Sequence, residues 1–262
     1  MGKRKKRALE RVRKPFQGVF NIVRFNWHFF VLAVLAAVVL IVLNMFYQGK
    51  YSPYVFLLLA LGGAVTVMSL LVSFYVYDLS PLYALSWLKE EQIIDDDVLV
   101  NIHAGFDETS VLLNARYPQA DLRVFDFYDP AKHTEISIER ARKAYPPYPC
   151  TLKVETDQIL LPTGAADAVF VLLTAHEIRN DAERVVFFTE VRRLLKTDGV
   201  VVVVEHLRDL PNFIAYNIGF FHFLSKKTWI KTFDNAKLHV EKQFNITPFL
   251  SVFILNKHGF TP

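Results

Sequence analysis

Apolar positions along the chain follow two different patterns. Two uncharged runs come first, residues 29–46 (FFVLAVLAAVVLIVLNMF) and 54–77 (YVFLLLALGGAVTVMSLLVSFYVY). Each is long enough to cross about 30 Å of hydrocarbon as a helix, and neither has a polar face. The intervening QGKYSP holds Gly49 and Pro53, which suits a tight hairpin. From residue 97 onward, short apolar runs alternate with amphipathic stretches. Strands are predicted at 97–102, 122–127, 151–155, 167–173 and 200–205, with helices at 109–118, 135–145 and 181–196. A helix at 226–236 is followed by strands at 239–246 and 250–257, which Thr247-Pro248 joins as an antiparallel edge hairpin. The alternation predicts an α/β fold, a Rossmann-like and mostly parallel sheet with helices on both faces.

Charge adds a polarity to this plan. Residues 1–26 carry nine basic side chains (Lys3, Arg4, Lys5, Lys6, Arg7, Arg11, Arg13, Lys14, Arg24) against Glu10, a net +8, leaving −4 for the rest of a +4 chain. A basic tail leading into an apolar run reads as cytoplasmic by the positive-inside rule, and two spans return the chain to the same side. Trp27, Tyr47, Tyr51, Tyr54, Tyr75 and Tyr77 stand near the ends of the runs, as interfacial aromatics do. The organisation expected is a basic cytoplasmic tail (1–28), a transmembrane hairpin (29–77) and a cytoplasmic domain (78–262). The expected location is the inner or plasma membrane in a bacterium. The mildly acidic domain argues against a nucleic-acid partner. The lone Cys150 allows no internal disulfide.

In a doubly wound sheet ligands bind at the carboxyl ends of the strands. After strand one come Asn101, His103, Ala104 and Gly105, and Gly105 allows backbone to approach a ligand. Asp126 ends strand two, about twenty residues past the first turn, where a carboxylate suits paired ribose hydroxyls. After strand three, Asp157, Gln158 and Ile159 open a D-x3-L-P-x4-D-A-V pattern; an acid followed by apolar residues can accept from an exocyclic amine and cover an aromatic face. Metal-ligand spacing, HExxH, P-loop and Ser-His-Asp signatures are all missing, so no metal is expected. The missing G-x-G-x-x-G disfavours a nicotinamide enzyme.

Taken together, residues 77–258 resemble the class I S-adenosylmethionine-dependent methyltransferases, in particular the small-molecule branch that includes quinone and lipid methyltransferases. The resemblance is carried by 157–169 and by 185–206, where FFTEVRRLLKTDGVVVVVEH is similar to the family's helix, LLKPGG-type turn and strand. It implies a seven-stranded sheet of order 3-2-1-4-5-7-6 and S-adenosyl-L-methionine as cofactor. It further implies that Asn101, His103, Ala104 and Gly105 wrap the methionine and ribose portion. Asp126 would hold the ribose, with Phe127 beside the adenine. Asp157 and Gln158 would meet the adenine edge with Ile159 packed on it, and Thr174, Ala175 and His176 would floor the sulfonium. The first loop departs from the family's acid-x-Gly-x-Gly-x-Gly: Asn101, His103 and Asp107 replace the acid, the first and the third glycine.

Methyl transfer is mostly a matter of position and electrostatics, with a general base only where the acceptor needs deprotonation. His176 and His206 are the base candidates, and Glu177 and Arg179 candidates for orienting the acceptor. Tyr77, Asp78 and Tyr83 lie in a segment similar to one that folds over the cofactor. The aromatic stretch 211–233 suits a substrate lid; the alternative is ordinary helix packing with membrane-surface contact through Lys226, Lys227 and Trp229. The expected function is a membrane-anchored methyltransferase acting on a small, lipophilic acceptor at the cytoplasmic face, in contact with membrane lipids. The alternative is a non-catalytic binding, scaffold or sensor protein with a degenerate methyltransferase domain. The sequence leaves the acceptor and the oligomeric state open.

Overall fold

The structure is a computed structural model and describes residues 13–88, Ile93 and 97–258. Three helices come first: α1 (Gln17–Phe25), α2 (Trp27–Phe46) and α3 (Ser52–Phe74). The two apolar helices are long and apolar enough to cross a membrane. Asn44, the one polar group of the first run, is paired across the hairpin, donating from Nδ2 to Ser52 Oγ at 2.9 Å.

The remaining chain builds one seven-stranded sheet of order β3-β2-β1-β4-β5-β7-β6. The strands are β1 (Val98–His103), β2 (Asp121–Asp126), β3 (Leu152–Lys153), β4 (Ala166–Leu172), β5 (Leu195–Glu205), β6 (His239–Thr247) and β7 (Leu250–Asn256). Strands β1 to β5 pair in parallel, and β7 runs antiparallel to both β5 and β6. This is the predicted Rossmann-like sheet with its terminal antiparallel hairpin. Two details differ. β3 forms ladder bonds over two residues only, and β5 begins at Leu195, where a helix was expected to continue.

Alternation along the central strands explains the two cores. Val100, Ile102, Val169, Val171, Val201 and Val203 point to one face. There they meet Phe187, Phe188 and Val191 of α6 (Asp181–Leu194) and Trp229 and Phe233 of α8 (Lys226–Asn235). Leu99, Phe170, Val202 and Val204 point to the other face. They meet Leu112 and Leu113 of α4 (Ser110–Arg116) and Ala215 of α7 (Leu210–Tyr216). With both faces covered, the central strands read as continuous apolar runs.

The second core has a further contributor. Val72 and Val76 belong to it, together with Leu82, Leu85 and Leu88. The apolar helix α3 therefore does not end above the domain; through a π-helical turn at Tyr75–Leu79 it runs into the domain's hydrophobic core. Helix α1, inside the stretch expected to be a plain basic tail, is docked in the same place. Asp78 accepts from the free backbone N–H groups of Gly18 and Val19, both at 2.8 Å, and so caps α1 from across the chain. Gly18 permits the approach: a Cβ there would lie 2.4 Å from the Cβ of Tyr77.

Candidate functional site

The carboxyl ends of β1, β2, β4 and β5 converge on one mouth. At the first turn Asn101 is buried, and its Nδ2 donates to Thr109 Oγ1 and Ser110 Oγ at 2.9 and 2.8 Å. Asp107 caps α4 through Oδ1, which accepts from the backbone of Thr109 and Ser110, each at 2.9 Å. Both residues therefore brace the loop. Ala104 N donates to Thr174 Oγ1 at 2.7 Å and ties the loop to the end of β4. Gly105 has φ +89°, and a Cβ would lie 2.6 Å from the Arg142 guanidinium.

His103 stands where the resemblance implies glycine. Its Nδ1 accepts from Gly105 N at 3.1 Å, which leaves the ring proton on Nε2. That Nε2 has no partner, nor does Asp107 Oδ2, 4.0 Å away. A buried donor and a buried acceptor are thus left open at the first turn. Burial lowers the imidazole pKa against the pull of Asp107 and Asp126, so His103 is neutral at pH 7.

Asp126 is at the tip of β2 as expected, but its oxygens are engaged. Oδ1 accepts from Tyr128 N at 2.9 Å, and Oδ2 pairs with Arg142 at 2.5 Å. Arg142 comes from α5 (Ile136–Ala144) and lies over the Tyr128 ring. Beside this pair opens a cavity of about 510 Å³ lined by Tyr128, His133, Glu135 and Arg142 among others. Phe127 and Ile159 are both buried in the core beneath.

Asp157 and Gln158 are placed differently. Both are exposed, in a turn closed by Gln158 N on Glu155 O at 3.3 Å. They line a second cavity of about 630 Å³ with Glu190 and Arg193, and no first-loop residue lines it. Ile159 N donates to Glu190 Oε1 at 2.9 Å, which fixes that turn against α6.

After β4 the chain makes a 3-10 turn, Ala175–Glu177. Glu205, buried at the end of β5, accepts from Ala175 N and His176 N at 2.9 and 3.2 Å and holds His176 Nδ1 at 2.7 Å. His176 Nε2 faces Glu177 Oε1 at 3.2 Å, which also faces His222 Nε2 at 3.4 Å. His222 Nδ1 in turn meets Glu135 Oε1 at 3.2 Å. Burial works against a charged His176, but Glu205 and Glu177 outweigh it and raise its pKa to about 10. Burial likewise opposes ionisation of Glu177, yet His176 and His222 hold it well below the ordinary carboxylate range. His176 is thus protonated at neutral pH in the ion-free protein and has no lone pair with which to take a proton.

His206 is committed elsewhere. Its Nε2 accepts from the Tyr77 hydroxyl at 2.8 Å, its Nδ1 donates to Phe249 O at 2.9 Å, and the ring stacks on Phe223. Burial lowers its pKa to about 4. It fastens the end of the apolar hairpin to the domain.

A roof covers the first turn: Tyr83 comes from the segment expected to fold over it, whereas the share of residues 13–25 was not expected from the sequence. Glu108 accepts from Arg13 at 2.7 Å, Asn21 at 3.3 Å and Tyr83 at 2.7 Å. Phe25 packs on Phe106 and Tyr145, and Tyr145 donates to Asn21 Oδ1 at 2.9 Å. Helix α1 therefore covers the loop after β1. The stretch 211–233 forms α7, a 3-10 turn at Asn217–His222 and most of α8. Leu210, Phe213, Ile214, Ile218 and Phe221 stay exposed, whereas Trp229 is wholly buried rather than at a surface.

No family model matches the chain, and no curated protein matches it. Among solved structures, a SAM-dependent methyltransferase from Aquifex aeolicus aligns at 16% identity over 64% of this chain and 86% of that one, with a TM-score of 0.49. A SAM-dependent methyltransferase from Methanosarcina mazei aligns at 14% identity over 65% and 97%, TM-score 0.48. The geranyl diphosphate C-methyltransferase of Streptomyces coelicolor, solved with Mg2+, geranyl diphosphate and S-adenosyl-L-homocysteine, aligns at 13% identity over 64% and 74%, TM-score 0.46.

Proposed function

We propose that the chain is a membrane-anchored methyltransferase that uses S-adenosyl-L-methionine and acts on a small, lipophilic acceptor. The observation that carries this reading is the sheet order β3-β2-β1-β4-β5-β7-β6 with Asp126 at the tip of β2 beside the first turn. The cofactor would be held by groups that fit it: the open His103 Nε2 and Asp107 Oδ2, the backbone of Ala104 and Gly105, and Asp126 once Arg142 gives way. When bound, S-adenosyl-L-methionine supplies an electrophilic methyl group.

The chain's own contribution is position and exclusion. Helix α1 shields the first turn from water. Glu205 orients His176, and with Glu177 they line the acceptor side of the mouth. The exposed apolar groups of α7 and the following turn, beside the end of α3, favour entry of a greasy acceptor from a lipid surface. The apolar hairpin supports membrane anchoring, with the basic tail on the cytoplasmic face.

A second reading is a non-catalytic binding or scaffold protein, and the Arg142–Asp126 pair favours it, because the ribose-facing carboxylate is already neutralised. Calorimetry on the full chain in detergent with S-adenosyl-L-methionine tests both. Saturable binding followed by transfer of labelled methyl into a membrane extract is expected. Binding without transfer would select the second reading, and absence of binding at millimolar cofactor would sink the first.

A further inference from the structure

We propose that His176, Glu177 and His222 form a binding site for a first-row divalent metal ion on the acceptor side of the mouth. The three residues come from two separate elements, the turn after β4 and the turn after α7. Their ligating atoms lie within 4.8 Å of one another. A tetrahedral ion with ligands at ~2.1 Å sets those ligands ~3.4 Å apart. Glu177 Oε1 lies 3.2 Å from His176 Nε2 and 3.4 Å from His222 Nε2.

The rings are oriented as metal-bound imidazoles are. Each presents Nε2 to the shared centre and rests Nδ1 on a carboxylate: His176 on Glu205, His222 on Glu135. Such outer carboxylates fix the tautomer and the ring plane. Glu205 is fixed in turn by two backbone N–H groups.

Charge points the same way. Glu135, Glu177 and Glu205 converge on the site, and among the described residues Arg179 is the one fixed cation that contacts them there. One divalent ion with two neutral imidazoles balances the remainder. Arg179 Nη2 also lies against both nitrogens of the His222 ring, 3.0 Å from Nε2, and must move aside for that nitrogen to ligate. Its other terminal nitrogen is bonded to the His222 carbonyl at 2.6 Å and can stay there, while the first turns toward Glu135 Oε1, 3.9 Å away.

Two His and one carboxylate leave coordination positions open. His176 and His222 are partly exposed, so the open positions are reachable from outside, and Glu135, the carboxylate behind His222, also lines the cavity beside Asp126. There the ion would bind an oxygen of the acceptor and favour its anionic form. This role, unlike the site itself, rests on the methyltransferase reading.

The test is titration of the chelator-stripped, tag-free full chain in detergent with Co2+, followed by visible absorption and metal analysis. One cobalt per chain, with ligand-field bands, is expected. His222→Gln, in an exposed turn, and Glu177→Gln should each weaken cobalt binding at least tenfold with circular dichroism unchanged. His239→Gln, on an outer strand, should not, and Arg179→Gln should bind as tightly or tighter. No stoichiometric cobalt, or equal binding in the His222 and Glu177 variants, would overturn the site. Calorimetry with S-adenosyl-L-methionine on the same protein separates the two ideas: cobalt bound without cofactor binding would remove the function and leave the site standing.

Discussion

Arg142 lies 2.5 Å from Asp126, so the carboxylate at the tip of β2 already carries a cation. A ligand that uses Asp126 Oδ2 competes with it. Arg142→Ala is therefore expected to tighten S-adenosyl-L-methionine several-fold, and Asp126→Ala to weaken it by about 1–3 kcal/mol, because polar partners are left unmet. Calorimetry on both variants checks this. Weaker binding in Arg142→Ala would mean that the guanidinium holds the ligand rather than competing with it.

Gly105→Ala should destabilise the chain by roughly 1–3 kcal/mol. The backbone there has φ +89°, and the new methyl would run into Arg142 and the Tyr128 ring. A melting curve followed by tryptophan fluorescence reads the loss. An unchanged melting temperature would show that the loop rearranges freely.

The His176–Glu177 pair sets a pH window for stability. The folded pKa of His176 is raised from 6.5 to about 10, so its stabilising contribution is complete below pH 6.5 and is lost as pH rises through about 10. Glu177 is lowered from 4.5, so its contribution is present above that value and is lost as pH falls below it. His206, lowered to about 4, loses its contribution as pH falls from 6.5, so ion-free protein, kept in chelator, should melt highest near pH 6.5 and decline toward pH 10. His176→Gln should flatten the alkaline limb. A wild-type limb no steeper than the variant's would contradict the coupling.

Gly18 holds α1 against Tyr77. Gly18→Val puts side-chain carbon where a Cβ alone would lie 2.4 Å from Tyr77 and 2.9 Å from Asp78. Helix α1 should lift from its cap, and trypsin should then cut at Arg24 much faster than in the parent. Equal cleavage rates would show that α1 stays docked.

The domain should not survive removal of the hairpin. A chain starting at residue 78 lacks Val72 and Val76, two members of the second core. Burying a valine side chain is worth roughly 1.5–3 kcal/mol. The truncated chain is expected to aggregate or melt well below the full chain, and a cooperative transition at the parental temperature would refute this.

Much of the sheet was legible because its signal is local. The apolar runs of β1, β4 and β5, and two strands in succession at the end, read directly as parallel strands with an antiparallel edge. The edges of the site were not legible, because they depend on partners far apart in the chain. His222 joins His176 and Glu177 from some 45 residues downstream, and nothing in their spacing announces a shared centre. Arg142 on Asp126 is likewise a contact between a helix and a strand tip. Asp157 fits a familiar pattern, yet the turn it occupies faces outward, fastened by Glu190. Gly18 and Asp78 carried the least signal: a glycine in a basic tail and an acid after an apolar run mean little until the two helices meet.

The π turn at Tyr75–Leu79 leaves no swivel between α3 and the sheet, because Val76 is already interior. A hairpin standing in a bilayer would then act as a mast for the domain. The opening beside Asp126 would have one altitude above the lipid and one compass heading. Reach would be decided by how deep an acceptor's reactive atom rides in the leaflet, and an acceptor riding a few ångströms too low would be passed over however well its shape fits the cavity.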